Sequence, residues 1–265
     1  KSDLPIPQAE IHGPYFPLVW KLGERVGQLH HALSPVTGKP AFDPEPITST
    51  DLREWKTRVL REGKRLFALL KSKREQFAKP LQVKIKILLS LRDRFVSMME
   101  EILPESAKSV RIRAHGDLHL GQVLLSRNDF FIIDFEGEPN RTPAEARIKQ
   151  PVGRDLAGMI RSFNYAAWMT LKKCTQERPQ DNQLFFPLIK TWEIESVEQF
   201  LAGYLSGVGK KNQLIGSQKE FRQLLRFFLL EKVICEIEYE MGHRPDWVEI
   251  PLSGMLEILQ RGSKV

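Results

Sequence analysis

Only two cysteines, Cys174 and Cys235, occur in 265 residues, too few for a disulfide framework and not at zinc-ligand spacing. That scarcity suits a reducing cytoplasm. No apolar run reaches the eighteen or so residues of a membrane span. The opening Lys1-Ser2-Asp3-Leu4-Pro5 has neither a signal-peptide pattern nor an initiating Met, so a fragment of a longer protein is expected. Low-complexity tracts and internal repeats are missing as well. Disordered, collagen-like, membrane and disulfide-rich classes are therefore excluded. What is present is ordinary for a globular chain: 42% apolar and 28% charged residues, with a core's worth of length.

The net charge is +7 and unevenly spread. Between Asp51 and Arg94 there are fourteen Lys or Arg against five acids. Such a stretch suits a solvated helix face, or contact with an anionic partner. No nucleic-acid motif accompanies it, so neither a nucleic acid nor a membrane is expected as partner.

Periodicity predicts a mainly helical chain with one small β-hairpin, an α+β arrangement. A short apolar helix spans Leu18 to Leu33. The next is capped by Thr50 or Asp51, with Leu52, Trp55, Val59, Leu66, Leu70 and Phe77 at spacings of three, four and seven. Pro80 is expected to end it, and a second helix to run from Leu81 to Leu103. Short strands are expected at Val110–Arg113, Gln122–Ser126 and Phe130–Asp134. A Gly/Pro/Arg-rich loop follows from Glu136 to Gly153. Helices are then expected at Arg154–Lys172, Pro187–Ser206, Gln218–Met241 and Leu252–Gln260. Three segments result: 1–110, 111–153 around the hairpin, and 154–265.

The hairpin segment reads His115-Gly116-Asp117-Leu118-His119-Leu120-Gly121-Gln122, and later Ile133-Asp134-Phe135-Glu136. A three-residue loop at Arg127-Asn128-Asp129 would set Gln122 directly opposite Asp134 on one face. A slip of one residue would send Asp134 to the other face. Oxygen ligands from Gln122 and Asp134 suit a hard cation such as Mg²⁺. Asp117, on a Gly-flanked loop, is free to accept a proton from a substrate hydroxyl. One base and two metal ligands are the minimum for phosphoryl transfer.

These residues, together with Asp134-Phe135-Glu136-Gly137-Glu138-Pro139, resemble the catalytic core of the aminoglycoside-phosphotransferase-like kinases, within the protein-kinase-like fold. The maltokinase family, often fused to trehalose synthase, is the most similar. Gly153–Phe163 and Gly242–Leu252 match it too. The resemblance implies a C-terminal lobe with Asp117 as base, Gln122 in a metal-ligand place held elsewhere by Asn, and Asp134 as the second metal ligand. His119 and Glu136 are placed to touch phosphate, metal or sugar. His115 holds the loop, and Asp155 either braces it or reaches substrate. ATP and Mg²⁺ follow as cofactors, and maltose or a related small sugar as acceptor. A missing N-terminal lobe and a trehalose synthase domain follow as partners.

A phosphate-covering Gly-rich loop and a strand Lys are not found before Arg111, so nucleotide-binding residues stay unassigned and the isolated chain is expected to turn over weakly or not at all. Gly203–Lys211 fails the P-loop pattern and reads as a helix C-terminus with a basic tail. On the helix from Gln218, the face carrying Phe221, Leu225, Phe228 and Leu229 goes on to Lys232, Glu236, Tyr239, Glu240 and His243. An inward stripe that turns polar suggests a sugar pocket, with Arg244 and Trp247 at its rim. Competing readings are a kinase for an aminoglycoside, choline or another small alcohol, a non-catalytic lobe, and a nucleic-acid module resting on the basic helices alone.

Overall fold

The computed structural model describes residues 13–137, 142–209 and 213–260. Its first helix, α1 (Tyr15–Ala32), buries Val19, Leu22, Val26 and His30. The chain continues through β1 (Glu45–Pro46) into α2 (Ser49–Lys73). The N-cap of α2 is Thr48, not Thr50 or Asp51. Thr48 Oγ1 accepts from the Asp51 N–H, and the Asp51 carboxylate reaches back to the Thr48 N–H, a reciprocal capping box. Leu52, Val59, Leu66 and Leu70 are buried as their spacing requires.

Pro80 does not end this helix. It sits in the first turn of α3 (Lys79–Ser90), where a missing N–H costs nothing. The long helix expected from Leu81 to Leu103 is two, α3 and α4 (Arg92–Glu101), meeting at Leu91. No Gly or Pro announces the break; it keeps Ile85, Leu88, Phe95 and Met99 all in the core.

A three-stranded antiparallel sheet has the order β1, β2 (Val110–Ile112), β5 (Gln150–Pro151). The hairpin is β3 (Val123–Ser126) with β4 (Asp129–Ile132). After the short α5 (Pro143–Ala146) come α6 (Gly153–Thr175), α7 (Asn182–Val208), α8 (Gln218–His243) and α9 (Glu249–Gln260). Helix α7 starts before Pro187 and ends against Gly209, so the Gly203 stretch is indeed a helix C-terminus; Lys210 and Lys211 lie outside the described residues. Helix α8 is buried nearly all round, with Phe221, Leu225 and Phe228 on one side and Val233 and Ile237 on another. No helix among the described residues is long and apolar enough to cross a membrane.

Helices α1 and α7 touch along a seam of glycines. A Cβ on Gly23 would strike the Phe200 carbonyl, and one on Gly203 the Trp20 carbonyl. The backbones approach too closely for any side chain. Gly203→Ala is therefore expected to lower stability by about 1–3 kcal/mol through overpacking, read as a lower melting temperature. An unchanged melting temperature would contradict the seam.

Candidate active site

The hairpin turn has two residues, not three. Arg127 and Asn128 both take positive φ, 51° and 59°, the signature of a type I′ turn. The register is therefore shifted by one from the expected pairing, with Val123 opposite Ile132 and Ser126 opposite Asp129. By strand alternation Asp134 should then face away from Gln122. It does not, because the chain leaves the ladder after Ile133, whose N–H still donates to the Gln122 carbonyl (3.0 Å). Asp134 then adopts φ 64°, a left-handed conformation uncommon for a non-glycine residue. Its carboxylate turns back, and Gln122 Nε2 donates to Asp134 Oδ2 at 2.8 Å. The expected neighbours meet through a backbone twist, not through sheet register. The Gln122 amide oxygen stays available beside that carboxylate.

Asp117 reaches the same locality through His115. The His115 Nε2–H donates to the Ile133 carbonyl at 2.8 Å, and its Nδ1 accepts from the Asp117 N–H at 3.3 Å. One imidazole thus ties the residue before Asp134 to the backbone of Asp117, and its ring packs on Phe135 at 4.9 Å between centroids. The loop also rests directly on α6. A Cβ on Gly158 would lie 2.5 Å from the Leu118 carbonyl.

The anchor beneath the loop is Asp155, in the first turn of α6. Its carboxylate accepts from the His115 and Gly116 N–H groups, each at 2.8 Å. The same group pairs with His30 Nε2 at 3.1 Å, and His30 Nδ1 meets the Tyr204 hydroxyl at 3.2 Å. All three side chains are buried. Asp155 thus braces the loop. Burial alone would raise its pKa, but the His30 hydrogen bond, the electrostatic contribution of that ring and the two backbone donors outweigh it and hold the pKa below the ordinary value. From sequence His30 reads as a core or surface residue in preference to a ligand, and it is buried; Tyr204 carries no such signal, since nothing local marks a partner 125 or 174 residues away.

Around the Asp117 carboxylate stand Lys232 Nζ at 3.7 Å and His119 Nε2 at 3.9 Å. His119 Nδ1 accepts from the Gly121 N–H at 3.0 Å, so the protonated Nε2 is the nitrogen that faces Asp117. A hollow of about 180 Å³ opens beside Asp117, bordered by Lys232, Arg58, Arg154 and Glu231. Glu231, which sequence analysis passed over, bridges Arg154 (2.7 Å) and Arg58 (2.5 Å). Glu136 is exposed on the turn after Asp134; Glu138 and Pro139 lie outside the described residues.

Of the polar stripe of α8, Glu236 and Glu240 point inward while Tyr239 and His243 are exposed, and the two inward acids are matched by the protein's own groups. Glu236 accepts from Arg161 Nε at 2.8 Å, and burial pushes its pKa up against the pull of that guanidinium. Glu240 is buried, accepts the Tyr165 hydroxyl at 3.0 Å, and holds Arg244 through two bonds of 2.9 and 2.8 Å. Arg244 in turn lies over Trp247 (4.8 Å) and Tyr239 (5.4 Å), and Tyr239 stacks on His243 at 4.4 Å. The end of α8 thus presents an aromatic and guanidinium shelf fixed from below by Glu240. Among the described residues, no group of three or more His, Cys, Asp or Glu is disposed to hold a metal.

No protein-family model matches the sequence. Two curated glucosamine kinases do resemble it. That of Mycolicibacterium smegmatis (strain ATCC 700084 / mc(2)155) is 28% identical over 247 residues, covering 92% of this chain and 54% of the relative. That of Streptacidiphilus jiangxiensis is 21% identical over 239 residues, covering 90% and 48%. Among solved structures, a glucosamine kinase in complex with glucosamine, ADP and inorganic phosphate aligns with a TM-score of 0.68 at 20% identity, over 97% of this chain and 53% of that one. A second crystal form of glucosamine kinase gives 0.67 at 19%, over 97% and 55%. The fold is that of a kinase-like, mainly helical lobe. The chain's relatives are sugar kinases, and it spans about half their length. Their names carry glucosamine where the motifs implied maltose, and neither mentions trehalose synthase.

Proposed function

We propose that this chain is the catalytic and sugar-binding lobe of an ATP-dependent sugar kinase. The observation that carries the reading is that His115 ties the Asp117 backbone to Ile133, next to the left-handed turn where Asp134 meets Gln122. Asp117 accepts the proton of the acceptor hydroxyl as the oxygen attacks the γ-phosphorus of ATP, and ADP departs. Lys232 and the His119 Nε2–H, on either side of Asp117, face the charge gathering on the transferred phosphoryl group.

The donor set fits Mg²⁺: one carboxylate and one amide oxygen on an open edge leave most positions to phosphate oxygens and water, the usual Mg²⁺ arrangement. Gln122 and Asp134 would hold it, and it would supply charge neutralisation on the phosphates. Leu124, Leu125, Phe131 and Phe135 are exposed on the hairpin and the turn after it. In this reading the nucleotide-clamping lobe covers them.

The acceptor sits against the Tyr239–Arg244–Trp247 shelf. Glucosamine is the first candidate, supported by the names of the relatives; maltose is the second, supported by the motif Gly242–Leu252. Calorimetric titration of the chain with glucosamine, maltose, glucose and an aminoglycoside tests this. Arg244→Ala is expected to weaken sugar binding about tenfold or more, through loss of the shelf, while Asp134→Asn leaves it unchanged. Sugar binding indifferent to Arg244→Ala, or tight binding of the aminoglycoside alone, would overturn the assignment.

A further inference from the structure

Away from Asp117, α4 and the start of α8 border a second hollow of about 950 Å³, within the range of small-molecule sites. Its walls carry Arg94, Lys219, Arg222 and Arg226, against one acid, Glu101, with Met98 and Ile102 as apolar lining. The part-buried arginines Arg25, Arg111, Arg154 and Arg161 elsewhere in the fold are ion-paired, with Asp129, Asp51, Glu231 and Glu236. Those of this cleft are not ion-paired to any acid among the described residues.

Arg226 shows the imbalance most clearly. Its Nε is buried without a hydrogen-bond partner, and its Nη2 meets only the Met98 sulfur, at 3.6 Å. Burial, and then the nearby Arg94 guanidinium, both disfavour its charge. Arg94 itself has one bond, from Nη2 to the Gln260 carbonyl at 3.3 Å. Ser217, Gln218 and Lys219 also open the N-terminus of the 26-residue α8 onto the cleft, adding its partial positive charge. The acid of that first turn cannot compensate. Glu220 is turned away, its carboxylate accepting from the N–H groups of Lys108 (3.0 Å) and Ser109 (2.9 Å) and from the Ser109 hydroxyl. A merely solvated basic face would let its guanidiniums spread into water. Here one is half-buried beside another, over an apolar lining, with a helix N-terminus aimed at the same space.

We propose that the cleft between α4 and α8 binds a phosphorylated small organic molecule, its phosphate held by Arg94, Arg222 and Arg226 and its carbon skeleton lying on Met98 and Ile102. The site is separate from the phosphoryl-transfer centre. Arg226 precedes Lys232 by six residues on the same helix, roughly 9 Å along its axis.

The test is calorimetric titration of the 265-residue chain with inorganic phosphate, pyrophosphate and glucose 6-phosphate, at ionic strength held constant with sodium chloride. One-to-one binding is expected, tighter for glucose 6-phosphate than for inorganic phosphate. Arg94→Gln and Arg222→Gln, both exposed and so compatible with an intact fold, should each weaken it about tenfold, whereas Asp117→Asn and Lys232→Gln should not. Absence of binding by all three anions would overturn the site. Binding lost in Asp117→Asn or Lys232→Gln but kept in the arginine variants would move it to the transfer centre. Equal affinity for inorganic phosphate and glucose 6-phosphate would overturn the organic part of the ligand.

Discussion

Asp117→Asn, made in the full-length protein, is expected to cut sugar phosphorylation by about 10²–10⁴-fold, the usual worth of a positioned base, with the melting temperature and sugar affinity unchanged. The expectation rests on what the carboxylate does not do. Among the described residues it holds no backbone group in place; its near neighbours are Lys232 at 3.7 Å and His119 at 3.9 Å, both beyond hydrogen-bond range. The loop is fixed instead by His115, Asp155 and the contact of Leu118 with Gly158. Asn keeps the shape and removes the proton acceptor, so turnover should fall without loss of fold. Turnover within about threefold of the parent would remove Asp117 from the chemistry.

His30→Ala should act the opposite way, on the fold first. It removes a fully buried hydrogen-bond partner and leaves one oxygen of the Asp155 carboxylate short of a donor, a change that costs about 1–3 kcal/mol or more. Asp155→Ala frees the His115 and Gly116 N–H groups as well and is expected to cost at least as much. Denaturant unfolding measures both. A double-mutant cycle should show strong coupling between the two positions; additive losses would contradict the pairing. The pH dependence follows from the sign of the Asp155 shift. Its folded pKa is depressed, so its contribution is complete above the ordinary carboxylate range, about 4, and is lost as pH falls through the lowered value. The half-exposed Asp129, drawn down to about 2 first by the Arg25 hydrogen bond, titrates in the same acid window. Read as the stability difference between the parent and Asp155→Asn, the Asp155 contribution is expected to be flat from neutrality down to about pH 4 and then to shrink; a difference that shrinks already at neutral pH would count against it.

The mainly helical fold with its hairpin was legible because apolar spacing records burial, and the helices of the second half stand within a few residues of their expected bounds. Boundaries failed where local chemistry has two outcomes. Pro80 can close one helix or open the next, and Thr48 caps as well as Thr50 would. The hairpin is the sharper lesson. Arg127-Asn128 reads equally as two residues of a three-residue loop or as a complete type I′ turn, and the structure takes the second. The proximity of Gln122 and Asp134 survives because of a left-handed φ at Asp134 that no pattern announces. The buried His30–Asp155–Tyr204 chain was illegible for a different reason: sequence periodicity reports which face is inward, not which polar groups meet there. The acids of α8 were legible as inward-facing. That their partners are Arg161, Tyr165 and Arg244 is a tertiary fact.

The most direct test of the central claim is ³¹P NMR of the full-length protein incubated with ATP, Mg²⁺ and, in turn, glucosamine and maltose. Sugar-dependent appearance of a sugar-phosphate resonance together with ADP, abolished by Asp117→Asn, is the predicted result. ATP left intact with both sugars, or hydrolysed to inorganic phosphate at the same rate with and without them, would contradict a sugar kinase built on Asp117.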